Sequence, residues 1–523
     1  MDVKVMLMMT VNIEKRILKK LDTIMYMLAL GYVILPIIIF LGGWTKWPVF
    51  FCGTMLLLYT GYQIFHAEKM HADRIDIITA DNKKFWLITS VCICVWVYLS
   101  GIGGFSHQNS DFWVRNPIYN DLCSMSWPVY YDLSKEPAHV QQYLGSDTVA
   151  FSYYYTWWLL PALICKIFGF TKLASNIVLY LHAVTGVILL HYLLCKIVKK
   201  CSWLCIGILV FFSGLDVVTY LIKSQTLPNI TQSLEWSSEF FQYSGNTTQL
   251  FYVFNQSIPV WIIAAIILST SSRGGYSAAI GSLTFAYSPW ATFGMFPIVI
   301  YDLLKGKCKL RDKIKRTVTL GNIGVPLLML LVFGLFYIAG GQTSDGFGLY
   351  FHTLGTTKSK FLMNYLLFFF TEVGVYLLAM GTATAKYPFC GVVVAELAIF
   401  PFFIVRDNNF IMRGSIPALF ILMTFIIKFL LEKQKDHTYR VRKIILVILL
   451  VIGARTPSNE IIRSINYTAN NEDVVNREIS SFSHIESEKE QRIFTADSQF
   501  FVHDYEDKLF FKYIAKKSLF CTR

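Results

Sequence analysis

Charged side chains are scarce in this sequence. They make up 15% of the 523 residues, against 54% in the hydrophobic class, a balance that a domain folding entirely in water does not show. Several signatures of chemistry are also missing. There is no P-loop and no dinucleotide fingerprint set between a strand and a helix, and no self-similarity at the period of a solenoid. Eleven cysteines are present, but they are scattered mainly through apolar runs. Close pairs such as Cys92/Cys94 and Cys201/Cys205 lack the second pair and the histidines of a zinc site, so the cysteines read as packing residues. The basic stretch Lys15, Arg16, Lys19, Lys20 precedes an apolar run from Leu21 to Gly42. That run is too long for the h-region of a signal peptide and has no clear cleavage site, and it is expected to be an uncleaved first span.

What the chain does have is apolar length. A bilayer core needs about 20 mostly apolar residues as helix. That ruler picks out spans near 22–42, 48–65, 85–104, 176–195, 203–222, 318–340, 361–381, 387–405 and 414–431, with shorter candidates near 150–168, 258–270, 276–303 and 443–455. The expected fold class is all-α: a polytopic membrane helical bundle of roughly 11–13 membrane helices, occupying residues 1–455. Residues 456–523 have no run long enough to span and are expected to form a small extracytoplasmic soluble tail leaning on the bundle.

The formal charge of +13 does not point to nucleic acid, because the basic residues lie in short clusters between apolar runs and form no continuous face. They read as orientation signals. Lys/Arg-rich loops stay cytoplasmic, which puts the N-terminus and the loops 66–84, 305–316 and 432–443 inside, and the loops 105–149, 223–257 and 341–360 outside. Lys166, Lys172 and the cluster Lys196, Lys199, Lys200 break the pattern. They cannot all be cytoplasmic if 150–168 and 176–195 both cross fully, so one of these segments is expected to be re-entrant or broken, with Pro161, Pro289 and Pro297 as candidate break points. The localisation implied is an integral, multi-pass plasma (inner) membrane protein with a cytoplasmic N-terminus.

The loop 105–149 is the most informative stretch. It reads Asp111-Phe-Trp-Val-Arg115-Asn-Pro-Ile-Tyr-Asn-Asp121, then Trp127-Pro-Val-Tyr-Tyr131. A carboxylate a few residues beyond a helix end lies near the headgroup plane, where it can meet both a lipid-borne phosphate and a polar acceptor, a position suited to general-base or metal-ligand chemistry. The same residues also fit solvated loop acids pairing with Arg115. A tyrosine triplet, Tyr153-Tyr154-Tyr155, opens the next apolar run, and Arg406-Asp-Asn-Asn-Phe-Ile-Met-Arg413 stands at a later helix entrance.

In this order of features the chain resembles the GT-C-type membrane glycosyltransferases, and more narrowly the "YYY" bacterial and archaeal membrane proteins related to protein mannosyltransferases. The resemblance covers about a fifth of the chain. It implies a cell-envelope transferase that moves a sugar from a polyprenyl-phosphate donor, held in the membrane lipid, to an acceptor outside. The acid of the first outer loop would serve as catalytic base or help place a divalent metal, a position matched here by Asp111 with Asp121 as second candidate. Arg115, Tyr153, Tyr154, Tyr155, Arg406 and Arg413 would bind substrate. The sequence departs from the family in carrying two spans before Asp111's helix, and in having no second carboxylate adjacent to Asp111.

Other residues point elsewhere. Glu372, Glu396, His182, His191 and Asp216 lie within apolar runs, where an ionisable group costs a few kcal/mol unless paired or facing a polar cavity. A proton-coupled carrier, or a flippase of lipid-linked sugars, would use such groups. A polymerase or ligase of a surface polysaccharide would need the same lipid-phosphate site as the transferase.

Overall fold

The structure, a computed structural model, describes residues 3–70, 76–132, 134, 148–270, 275–305, 310–340, 348–350, 357–404, 409–434, 436–470, 481–482 and 500–516. Its helices in chain order are α1 (Val3–Trp44), α2 (Trp47–Lys69), α3 (Lys83–Leu99), α4 (Phe112–Ser124), α5 (Leu159–Phe168), α6 (Lys172–Val198), α7 (Trp203–Phe211), α8 (Asp216–Ser224), α9 (Asn246–Thr270), α10 (Ser277–Ser282), α11 (Pro289–Leu304), α12 (Leu310–Thr317), α13 (Leu320–Ala339), α14 (Lys358–Lys386), α15 (Cys390–Ile399), α16 (Asn409–Gly414), α17 (Ile416–Leu431), α18 (His437–Gly453) and α19 (Arg455–Ala469). Among the described residues, 8 helical segments are long and apolar enough to cross a membrane, and five shorter apolar helices accompany them. The chain is therefore a mostly helical, polytopic bundle.

The bundle has two chemically different ends. At one, the last turns of α2 and α6 meet α1: the Lys196 ammonium lies 3.5 Å from Asp22 Oδ2 and 3.1 Å from Glu68 Oε1, all three side chains buried. The same end gathers Lys199 and Lys428. At the other end lie α4, α16, α19 and two small antiparallel sheets that the all-α expectation did not include. In the larger sheet, β1 (Tyr130–Asp132) pairs with β2 (Thr148–Phe151), Tyr131 opposite Val149. In the smaller one, β3 (Gly348–Leu349) pairs with β4 (Phe403–Ile404). β5 (Phe501–Val502) adds to the free edge of β2, Phe501 opposite Phe151, so the end of the chain closes a sheet begun before α5.

The conflict among the lysines is resolved by α5. Its entry stands deep in the bundle, where Trp157 Nε1 donates to Tyr32 Oη, 2.8 Å away, midway along the apolar span Lys20–Trp44 of α1. Its last turn returns to α4, where Lys166 Nζ donates to the carbonyls of Cys123 and Met125. Lys166 and Lys172 thus share the α4 end, and α6 alone carries the chain across to Lys196. Pro289 also marks a true break: α11 starts there, with Ser288 Oγ accepting from Ala291 N. Pro297 lies inside α11 without ending it.

Two further departures from expectation have the same cause. Residues 246–257, expected as part of a polar loop, form the first half of α9 and are almost wholly buried. Their amides and hydroxyls bond inward: Asn246 Nδ2 to Leu209 O (3.0 Å), Trp96 Nε1 to Thr247 Oγ1 (3.1 Å) and Trp261 Nε1 to Gln249 Oε1 (3.1 Å). The span expected over 203–222 is interrupted between α7 and α8, where residues 212–215 are not helical. Unwound backbone inside a bundle must find partners. Asn246 N donates to Phe212 O, Tyr376 Oη to Ser213 O (2.6 Å), and Leu215 N to Thr371 O (3.1 Å), a carbonyl in the π-helical turn Phe370–Gly374 of α14.

Candidate functional site

Asp111 stands directly before α4, on a loop fixed by Asn109. The Asn109 amide donates to Phe251 O (2.9 Å) in α9, and its Oδ1 accepts from Asp111 N (3.0 Å). One turn into α4, Arg115 reaches back. Its Nη2 lies 2.8 Å from Asp111 Oδ2, with the aspartate side chain 43% exposed and the arginine 9%. The guanidinium stacks over Phe254 and Phe112, at 5.3 and 5.8 Å from the ring centroids. These rings remove it from water and fix its plane, while Nη1 is buried without a hydrogen-bond partner among the described residues. A planar fork with one prong on a carboxylate and one open is suited to a second oxyanion.

Tyr153 follows β2 and packs on Tyr154 (centroids 3.8 Å apart) and on Phe500 (4.6 Å). Burial, and next the neighbouring Tyr154, push its phenol well above the ordinary range, while Arg413 and Arg115 pull it the other way. Two arginines about 300 residues apart in sequence therefore bear on one tyrosine. Arg413 is delivered by the short helix α16, and Arg115 by α4. Arg406 lies outside the described residues.

The remaining sequence candidates separate from this group. Asp121 is fully buried, and its Oδ2 accepts from Tyr131 Oη (2.8 Å) and from Phe482 N (3.0 Å). It ties α4 to β1 and to the chain end, and burial together with Asp121 holds the Tyr131 phenol well above its usual range. Tyr155 is likewise fully buried, amid Trp44, Phe40, Phe151 and Phe336, so its position is that of a core residue. Of the intramembrane candidates, His182 stacks on Tyr32 (4.6 Å) and His191 packs among Phe85 and Trp86.

Tyr252, and the Glu460–Arg463 pair around it, were missed. Tyr252, on α9, is within electrostatic reach of Asp111, Glu460 and Arg463. Arg463 Nη2 donates to its hydroxyl (2.6 Å) and pairs with Glu460, one turn earlier in α19. The signal was present as Glu460 and Arg463 at i, i+3 in a helix-compatible stretch, but that stretch had been assigned to the soluble tail.

No family model, no curated protein and no solved structure matches the chain. The site's chemistry is read from its own residues. Among the described residues no group of three or more His, Cys, Asp or Glu side chains is disposed to hold a metal ion, and Asp111's nearest charged partner is a cation. That arrangement suits a carboxylate acting as base beside an anion-binding guanidinium.

Proposed function

We propose that the chain is a membrane glycosyltransferase that moves a sugar from a polyprenyl-phosphate donor to an acceptor at the extracytoplasmic face, with the Asp111 end of the bundle facing outward. The observation that carries this reading is the Arg115 guanidinium, held against Phe254 and Phe112 with one prong on a half-exposed Asp111 and Nη1 open among the described residues; Arg413 and Arg115 also exert their charge on the same phenol, Tyr153. A lipid phosphate needs several donors near the bilayer edge, where lowered dielectric strengthens a guanidinium–phosphate pair over its value in water. The open Nη1 of Arg115 and the Tyr153 hydroxyl are donors available there, and the Arg413 guanidinium adds positive charge. The phosphate is already a good leaving group, so the remaining task is to deprotonate the acceptor hydroxyl. Asp111 Oδ1 accepts no protein hydrogen bond among the described residues and is the base. One displacement at the anomeric carbon inverts its configuration. The basic clusters at the Lys196 end support the orientation, since they would face the cytoplasm. The test is titration of the protein in nanodiscs with a polyprenyl phosphate: Arg115→Ala and Arg413→Ala should each weaken binding at least tenfold. Unchanged affinity in both would end the reading.

A second reading, a proton-coupled carrier, is favoured by the broken α7–α8 pair. Asp216 opens α8 with its Oδ2 accepting from Ser213 Oγ (3.1 Å) and Thr456 Oγ1 (3.0 Å), and the Glu372 carboxylate lies against Gly214 in the break. Interrupted helices with acids at the break are where carriers bind coupling ions. Proton uptake into vesicles that Glu372→Gln abolishes and Asp111→Asn spares would select this reading.

A further inference from the structure

The last turn of α4 and the last turn of α5 each present a cysteine to the other. Cys165 Sγ lies 3.3 Å from Tyr119 Oη, and Tyr119 stands one helical turn before Cys123 on the same face of α4. Lys166, next to Cys165, donates to the carbonyl of Cys123 itself (3.4 Å). The Lys166 ammonium therefore ties the end of α5 to the end of α4, and the two thiols lie within electrostatic reach of each other. The site is built around sulfur. The Tyr119 proton goes to Ser175 O (2.8 Å), which leaves the Cys165 thiol as donor in its contact with the phenol oxygen and costs Tyr119 nothing if that thiol is oxidised. Cys165 is buried, and Cys123 is partly exposed.

We infer that Cys123 and Cys165 form a disulfide that fastens the re-entrant helix α5 to the helix carrying Asp111 and Arg115. The inference rests on the proposed orientation, because disulfides form and persist outside the cytoplasm. The oxidant is the disulfide of an extracytoplasmic thiol–disulfide oxidoreductase. Cys123, the more accessible thiol, gives up its proton as it attacks one sulfur of that disulfide, and the other sulfur leaves as a thiolate. Cys165 then displaces the bound oxidoreductase sulfur. One S–S bond breaks in the donor and one forms here, two electrons pass to the donor, and the two protons leave with its thiols. The cross-link closes a loop of about 40 residues that contains β1, β2 and the tyrosine triplet. It restrains the unfolded chain most where the sheet and Tyr153 must be brought to Arg115.

The experiment is peptide mapping of the full-length protein extracted from its own membrane without reductant, with free thiols alkylated in denaturant before any reduction. A linked peptide pair containing Cys123 and Cys165 is expected, and in Cys123→Ser the Cys165 thiol should become alkylated in the first step. Complete first-step alkylation of both cysteines in the wild type overturns the inference. Sidedness is read separately from Ser126→Cys, at an exposed position just beyond α4, in a Cys123→Ser background with a membrane-impermeant reagent. Free thiols with Ser126→Cys labelled from outside would overturn the disulfide and leave the orientation standing. Free thiols with labelling only after permeabilisation would overturn both.

Discussion

At the scale of single residues, Asp111 and Asp121 separate two jobs that looked alike in sequence. Asp111 is half exposed and bound to one guanidinium, whereas Asp121 is buried with a phenol and a backbone amide on one oxygen. Asp111→Asn should leave stability unchanged and lower transfer by about 10² to 10⁴, the range for removing a general base, with donor affinity preserved. Near-wild-type turnover at saturating donor would remove Asp111 from the mechanism. Asp121→Ala should behave in the opposite sense. Losing charge-assisted hydrogen bonds at a buried carboxylate costs about 3 kcal/mol, visible as a lower thermal midpoint in detergent, and an unchanged midpoint would refute the tethering role. Arg115→Lys keeps the charge but cannot hold Asp111 and an oxyanion at once, so its donor affinity should fall while Asp111→Asn's does not.

Elements carry the next set of constraints. The break between α7 and α8 depends on Gly214, where an added Cβ would overlap the Glu372 carboxylate. Gly214→Ala should destabilise the protein, and Gly214→Ala with Glu372→Ala should recover part of the loss, since the two share one contact. Strict additivity in thermal unfolding would show that the contact is not the cause. At the opposite end, Lys196 lies between Asp22 and Glu68, joining α6 to α1 and α2. Lys196→Met removes the cation from two buried carboxylates and should cost about 3–5 kcal/mol; a loss below about 1 kcal/mol would mean that water or another cation takes its place.

At the scale of the molecule, the site is assembled from segments far apart in sequence: α4, the strand-to-helix segment at Tyr153, α9, α16 and α19. The last of these is where the segment after residue 455 leans on the bundle. Thr456 bonds Asp216, Ser464 Oγ donates to Leu99 O (2.6 Å), and Arg463 reaches Tyr252, so the stretch assigned from sequence to a soluble tail begins with a helix packed on the bundle. Truncation after residue 454 should therefore lower donor affinity although Asp111, Arg115 and Arg413 all remain. Full affinity in the truncated protein would show that α19 only covers the site.

The sequence by itself determined the solvent and the class of fold. Apolar length and scarce charge follow from the bilayer's thickness and dielectric, and each is a local property that a window of residues reports. Even the misfit of Lys166, Lys172 and Lys196 was legible, because charge cannot be hidden from that count. Asp111, Arg115 and Arg413 could be named in advance for the same reason, since charged residues stand out beside apolar helices. Only the tertiary structure decided that Arg115 turns back onto Asp111 while Arg413 and Arg115 bear on one tyrosine. Whether Asp121 faces water or Tyr131, whether Asn246 and Gln249 belong to a loop or a core, and whether Glu460 and Arg463 lie in a tail or beside Tyr252 all depend on partners supplied by other segments. A polar residue is tolerated inside a bundle when its hydrogen bonds are met there, and the groups that meet them are remote in the chain.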